Sequence, residues 1–158
     1  MELLDEISQR LQQGMTGEVK RLVQRAIDEG VPAQTIWEEG LRSGMDIIGE
    51  KFKRNKAFVP EVLRAAGAMN QAAALLRPLL AASGGKAAGK VCIGTVRGDL
   101  HDIGKNLVRM MMEGKGLEVV DLGTDVAPET FIQTAKEQNC RVICLSTLLA
   151  GTMGVMEE

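Results

Sequence analysis

The apolar pattern of this chain changes its period once, and that change dictates a molecule of two unlike parts. Through residues 1–82 the apolar positions recur at helical spacing: Leu3, Leu4, Ile7 and Leu11 share one face, and Val19, Leu22, Val23, Ala26 and Ile27 the next. Four helices account for this stretch. Gly14 closes the first, Thr16 caps the second with Glu18 in its first turn, Gly30 ends it, and Pro32 opens a third that runs to about Arg54. Pro60 opens a fourth, whose alanine-rich run (AAGAMNQAAALL) permits close helix contact and whose end Pro78 is expected to kink or shorten. Residues 83–89 (SGGKAAG) have no apolar period and read as a linker.

From residue 90 onward strands and helices alternate. Residues 90–96 (KVCIGTV), 117–122 and 141–146 read as buried strands, and 104–114 and 128–139 as helices, the pattern of a parallel doubly wound sheet with right-handed crossovers. The expected fold is therefore α plus α/β: a four-helix bundle over 1–82, a linker over 83–89, and a flavodoxin-like (Rossmann-type) parallel domain over 90–158. That domain holds about three strands, fewer than the four to six usual for an open sheet. It reads as incomplete at its C-terminus, with 152–158 the start of a helix and an open sheet edge where a second copy could pair.

Composition narrows the function classes. The apolar fraction of 45% supports a real core, while a net charge of -2 without a basic stripe excludes nucleic acid as a partner. No apolar run approaches the roughly 20 residues of a membrane span, and the opening MELLDE lacks the cationic start of a secretory signal, so the expected location is the cytoplasm. Cys92, Cys140 and Cys144 are expected to be reduced core residues, since the strand alternation over 141–145 points Cys140 and Cys144 differently from a chelating loop.

Ligands of doubly wound sheets bind at the carboxyl ends of the strands, here residues 97–104, 123–127 and 146–152. The first of these carries Gly98, Asp99, Leu100, His101, Asp102, Ile103 and Gly104, and His101 is the only histidine among 158 residues. Asp99 or Asp102 can hydrogen-bond one ring nitrogen, fix the tautomer and leave the other nitrogen free for a metal. Competing motifs fit less well. A phosphate loop has one residue fewer than lies between Gly98 and Gly104, and Asn106 stands where its magnesium-binding hydroxyl belongs. Asp121 lacks the glycine fingerprint of a dinucleotide fold, and Ser146, which with His101 and a carboxylate makes a triad on paper, lacks the nucleophile-elbow glycines.

Asp99-x-His101-x-x-Gly104, followed beyond the next strand by Ser146-x-Leu148, resembles the cobalamin-binding signature of corrinoid methyl-carrier proteins and of the matching region of cobalamin-dependent methionine synthase. The helical half, with GMDIIGEKF and FVPEVLRAAGAM, is similar to that family's cap, so the resemblance runs from about residue 2 to 156. It implies that His101 replaces the cofactor's own benzimidazole beneath cobalt, that Asp99 accepts a hydrogen bond from its other nitrogen, and that the Thr152 hydroxyl completes a relay. It further implies that Gly98 and Gly104 let corrin and tail approach the backbone, that Ser146 and Leu148 line the tail channel, and that Phe58 belongs to the cap segment over the upper corrin face. The family continues through two more strands and a glycine pair that accommodates the nucleotide base, positions this chain does not contain.

The implied role is a non-catalytic carrier subunit that shuttles a methyl group. Its implied partners are a substrate-specific methyltransferase, an acceptor methyltransferase using tetrahydrofolate or a thiol cofactor, and a reductive activation protein. The linker would be the hinge that swings the cap aside. The alternative is a cobalamin-dependent sensor that uses the same two parts to regulate transcription, against which stands the lack of a helix-turn-helix or basic region.

Overall fold

The computed structural model describes residues 2–82 and 89–158, so the expected linker, apart from Gly89, lies outside the described residues. The chain forms two compact units, Met1–Lys86 and Ala87–Glu158.

The first unit is helical. Its elements are α1 (Glu2–Gln12), α2 (Thr16–Asp28), α3 and α4 (Val59–Ala82); α3 is continuous, with an α-helical start at Ala33–Thr35, a π-helical stretch at Ile36–Arg42 and an α-helical remainder at Ser43–Lys53. The apolar faces read from the sequence meet in the middle. Ile7, Leu11, Val19, Leu22, Val23, Val62, Met69 and Leu76 are all but completely removed from solvent, each burial contributing about 1.5–3 kcal/mol. Ala65, Ala66, Ala68 and Ala72 are buried along α4, as the alanine run suggests. Gly14 and Gly30 end their helices with φ of 69° and 78°.

Three local expectations change. Thr16 is not the cap of α2: Met15 occupies that position without a side-chain cap bond, and Thr16 is the first helical residue. Pro78 neither shortens nor ends α4, which continues to Ala82; it lies one turn from the end, so its missing N–H costs the helix a single bond. The π stretch in α3 has no signal in a 3.6-residue period. It reconciles two core residues five apart, Ile36 and Leu41, both fully buried, because an i to i+5 turn brings such a pair toward one face where an α-helix would splay them. Within that stretch a Cβ on Gly40 would lie 3.1 Å from Ile7 Cγ2, so α1 and α3 meet closely there.

The second unit is α/β: β1 (Gly89–Thr95), α5 (Ile103–Gly114), β2 (Leu117–Asp121), α6 (Pro128–Glu137), β3 (Val142–Ser146) and a 3-10 segment (Ala150–Glu157). The three strands are parallel in the order β2-β1-β3, with Ile93 opposite Asp121 on one side and Cys144 on the other. The helix start expected over 152–158 is a 3-10 segment that begins at Ala150 and runs to Glu157. Because successive strands flank β1 on opposite sides, the strand order reverses at β1 and opens a crevice at its carboxyl end.

Candidate functional site

The loop between β1 and α5 fills that crevice. Gly98 turns it with φ of 85°, and a Cβ there would stand 3.3 Å from Thr152 Cγ2, so only glycine suits both the angle and the space. Thr95, fully buried, donates its hydroxyl to the carbonyl of His101 at 2.8 Å and ties the loop to the strand end.

Asp99 is the centre of the arrangement. It has no solvent exposure, and both carboxylate oxygens are surrounded by donors. Oδ1 accepts His101 Nδ1 at 2.7 Å and the His101 amide at 3.0 Å. Oδ2 accepts the amides of Leu148 at 2.8 Å and Leu149 at 3.1 Å, and the hydroxyls of Thr147 and Thr152 stand 3.2 and 3.1 Å away. Those two hydroxyls are 2.6 Å apart, so one can donate to the other while the second donates to Asp99. The Leu148 amide foremost, then the His101 amide, hold the Asp99 carboxyl well below the usual carboxylate range against the opposing effect of burial. An ionised Asp99 keeps the proton of a neutral imidazole on Nδ1. The His101 side chain is 51% exposed, and Nε2 has no partner among the described residues.

The sequence left Asp102 as an alternative partner for the imidazole. The structure assigns it otherwise: Asp102 precedes α5 and accepts Asn106 Nδ2 at 3.1 Å. Around the imidazole motif the surface is apolar. Leu100, Ile103 and Leu148 are 73%, 71% and 69% exposed, and Leu149 and Met153 are exposed beside them in sequence. A Cβ on Gly104 would meet nothing within 4 Å, so that edge is open. Ser146 is half-buried, and its carbonyl accepts the Val96 amide at 3.0 Å. Phe58 belongs to the helical unit, 67% exposed, with its amide donated to Glu61 Oε2 at 2.8 Å.

Two features were not read from the sequence. Thr147 joins Thr152 on Asp99, although only the Ser-x-Leu motif around it had been singled out. Lys105, buried to 2% side-chain exposure, places Nζ 2.6 Å from Asp121 Oδ1 and 2.9 Å from Asn106 Oδ1. Burial of Asp121 works against its ionised form, but Lys105, the Gly123 amide and Arg109 prevail and lower its pKa. The pair anchors the start of α5 to the end of β2. The cysteines are free thiols; burial, with Cys140 nearby, pushes the Cys92 thiol up to about 11. Among the described residues no three His, Cys, Asp or Glu side chains converge on a point that could hold a metal.

Family models of a B12 binding domain match both parts of the chain, over residues 3–77 and 89–158. A corrinoid protein of Desulfitobacterium hafniense is 39% identical over 161 residues, covering 100% of this chain and 74% of that protein. A dimethylamine corrinoid protein of Methanosarcina barkeri is 41% identical over 154 residues, 96% of this chain and 71% of the relative. The chain belongs to the corrinoid proteins. Among solved structures, a chain of the methanol:cobalamin methyltransferase complex of Methanosarcina barkeri superposes with a TM-score of 0.88 at 28% identity, over 99% of this chain and 60% of that one. A cobalamin-binding protein of Desulfitobacterium hafniense gives 0.77 at 29% identity, over 97% and 72%. A corrinoid protein of this family binds cobalamin, and the helical-plus-parallel-sheet architecture expected from the sequence is the family's own. No helix of the described residues is long and apolar enough to cross a membrane.

Proposed function

We propose that this corrinoid protein is a methyl carrier that binds cobalamin base-off, with His101 Nε2 as the lower ligand of cobalt. The carrying observation is the His101–Asp99 pair. Nδ1 is committed to a buried, ionised carboxylate at 2.7 Å, while Nε2 of the half-exposed ring has no partner among the described residues. The residues present fit the cofactor. A corrin carries nitrogen donors of its own, so a single imidazole is what the chain would add to hold it, and His101 would supply it. The exposed Leu100, Ile103 and Leu148 would offer a large planar ring an apolar bed, Gly104 leaves open space beside the backbone for the ring and tail, and Gly98 shapes the loop that presents them. Ser146 and Leu148 would line the tail's path.

Bound cobalamin supplies a cobalt centre that takes up and gives back a methyl group. The chain's own part is to grip and tune. Asp99 makes the imidazole a better donor, and Thr147 and Thr152 feed Asp99 hydrogen bonds that vary with its proton load. Relatives are named for dimethylamine, trimethylamine and methanol systems, so the donor proposed is a small methylated amine or alcohol presented by a partner methyltransferase. The acceptor is tetrahydrofolate or a thiol cofactor on a second enzyme, with a reductive activator restoring the carrier.

Reconstitution with hydroxocobalamin tests the binding claim. The native chain gives the base-off, histidine-ligated spectrum, and His101→Ala loses it. An unchanged spectrum in the variant rejects His101 as the ligand.

A further inference from the structure

Three non-glycine residues among those described have φ in the left-handed region: Asn55, Asp125 and Asn139. Asn55 and Asn139 each follow the end of a helix, where such an angle is the ordinary way to stop. Asp125, with φ of 55°, stands instead in the loop between β2 and α6. A non-glycine residue in that region is uncommon and persists where surrounding bonds over-determine it.

The surrounding bonds all lead to the His101 loop. The Asp125 amide donates to the Asp99 carbonyl at 3.0 Å, and Asp125 Oδ1 accepts the Gly98 amide at 2.7 Å. One residue thus clasps two consecutive backbone positions, 98 and 99, with Leu100 alone between them and His101. The rest of its loop is zipped to the end of β1: Thr95 donates to the Gly123 carbonyl at 2.9 Å, and Val126 donates to the Thr95 carbonyl at 3.0 Å. Asp125 extends this ladder past the strand onto residues 98 and 99, where β1 has ended and Gly98 has reversed the chain. The Asp99 carboxylate is held from the β3 side by residues 147–152. Its backbone is held from the β2 side by Asp125.

We propose that Asp125 is a positioning residue for the Asp99–His101 pair: its carboxylate oxygen and its left-handed amide fix the backbone of residues 98–99 so that the carboxylate meets imidazole Nδ1. The role of this geometry in cobalt ligation rests on the reading of His101 given above, whereas the geometry itself does not.

The lone histidine makes the test direct, because a 15N-labelled cofactor-free chain shows a single imidazole. Recorded in alkaline buffer, its ring nitrogens report which one carries the proton. The native chain shows the Nδ1–H form. Asp125→Asn keeps an acceptor oxygen and tolerates left-handed φ, and retains that signature. Asp125→Gly keeps the conformation but loses the acceptor, and Asp125→Ala loses both; each shifts the imidazole toward the Nε2–H form and weakens hydroxocobalamin binding roughly 10-fold. If Asp125→Ala fails to fold, Asp125→Gly, free of strain, carries the comparison with Asp125→Asn. A native tautomer in Asp125→Gly overturns the proposal. Loss of the cobalamin spectrum's histidine signature in none of the variants, His101→Ala included, instead defeats the ligand reading and leaves the tautomer result standing.

Discussion

In the helical unit Ile7, Leu11, Leu22, Ile36 and Met69 are sealed in the bundle, Phe58 is its most exposed large apolar side chain, and ion pairs such as Arg25–Glu29 at 2.7 Å are on the surface. The α/β unit reverses this at the end of its sheet. There Leu100, Ile103 and Leu148 stand exposed while Asp99 and Lys105 are buried. Helix packing explains the first unit by itself, since apolar faces placed together lower the free energy without any further requirement. The second carries exposed apolar surface of the kind that a ligand covers, while its buried charges are satisfied within the unit, Asp99 by donors on both oxygens and Lys105 by Asp121. The difference separates a part that is stable for packing reasons from a part shaped for something else.

The strongest way to break the comparison is at a bundle residue. Leu11→Ala is expected to cost about 2–5 kcal/mol in denaturant unfolding of the helical unit, with the amide signals of β1 unmoved; a loss shared equally by both units contradicts it. Next comes Asp99→Asn. Both oxygens of Asp99 face only donors, so either orientation of the amide sets an NH2 against another donor. Cobalamin affinity, measured by equilibrium titration, falls roughly 10 to 100-fold.

Acid sharpens the contrast without mutation. The folded-state pKa of Asp99 is depressed, so its contribution is fully present above the ordinary aspartate value of about 3.9 and is lost as pH falls below that toward the folded value. Asp121, lowered in the same direction, adds to the slope. Hydrogen exchange followed down through that window shows β1 and β2 losing protection before α1 and α2. The smallest effect is at the apolar bed: Leu148→Ser keeps the backbone amide that Asp99 uses, so stability of the cofactor-free chain changes by less than about 0.5 kcal/mol. Cobalamin binding weakens by about 1 kcal/mol, read from the same titration.

Much of this arrangement is local and therefore legible. Asp99 and His101 lie two residues apart on a glycine-turned loop after a strand, and that spacing alone puts a carboxylate within reach of an imidazole. Asp102 has an equally short spacing, and only the start of α5 decides against it by giving it Asn106 as a partner. Thr147, Leu149 and Asp125 carry no such local mark. They reach Asp99 because β3 and β2 flank β1, across separations no periodicity records. The π stretch of α3 was hidden for a related reason, since a wider turn is chosen by what Ile36 and Leu41 must bury.

The sequence by itself determined two units of different period, a single imidazole at a strand's carboxyl end and the family signature around it, because each depends on residues near one another along the chain. The tertiary structure decided which carboxylate holds the imidazole, which donors keep that carboxylate ionised and how the loop between β2 and α6 clasps its backbone. Hydrogen-bond geometry between distant segments follows from strand order and packing, and a linear pattern of residue types does not specify it.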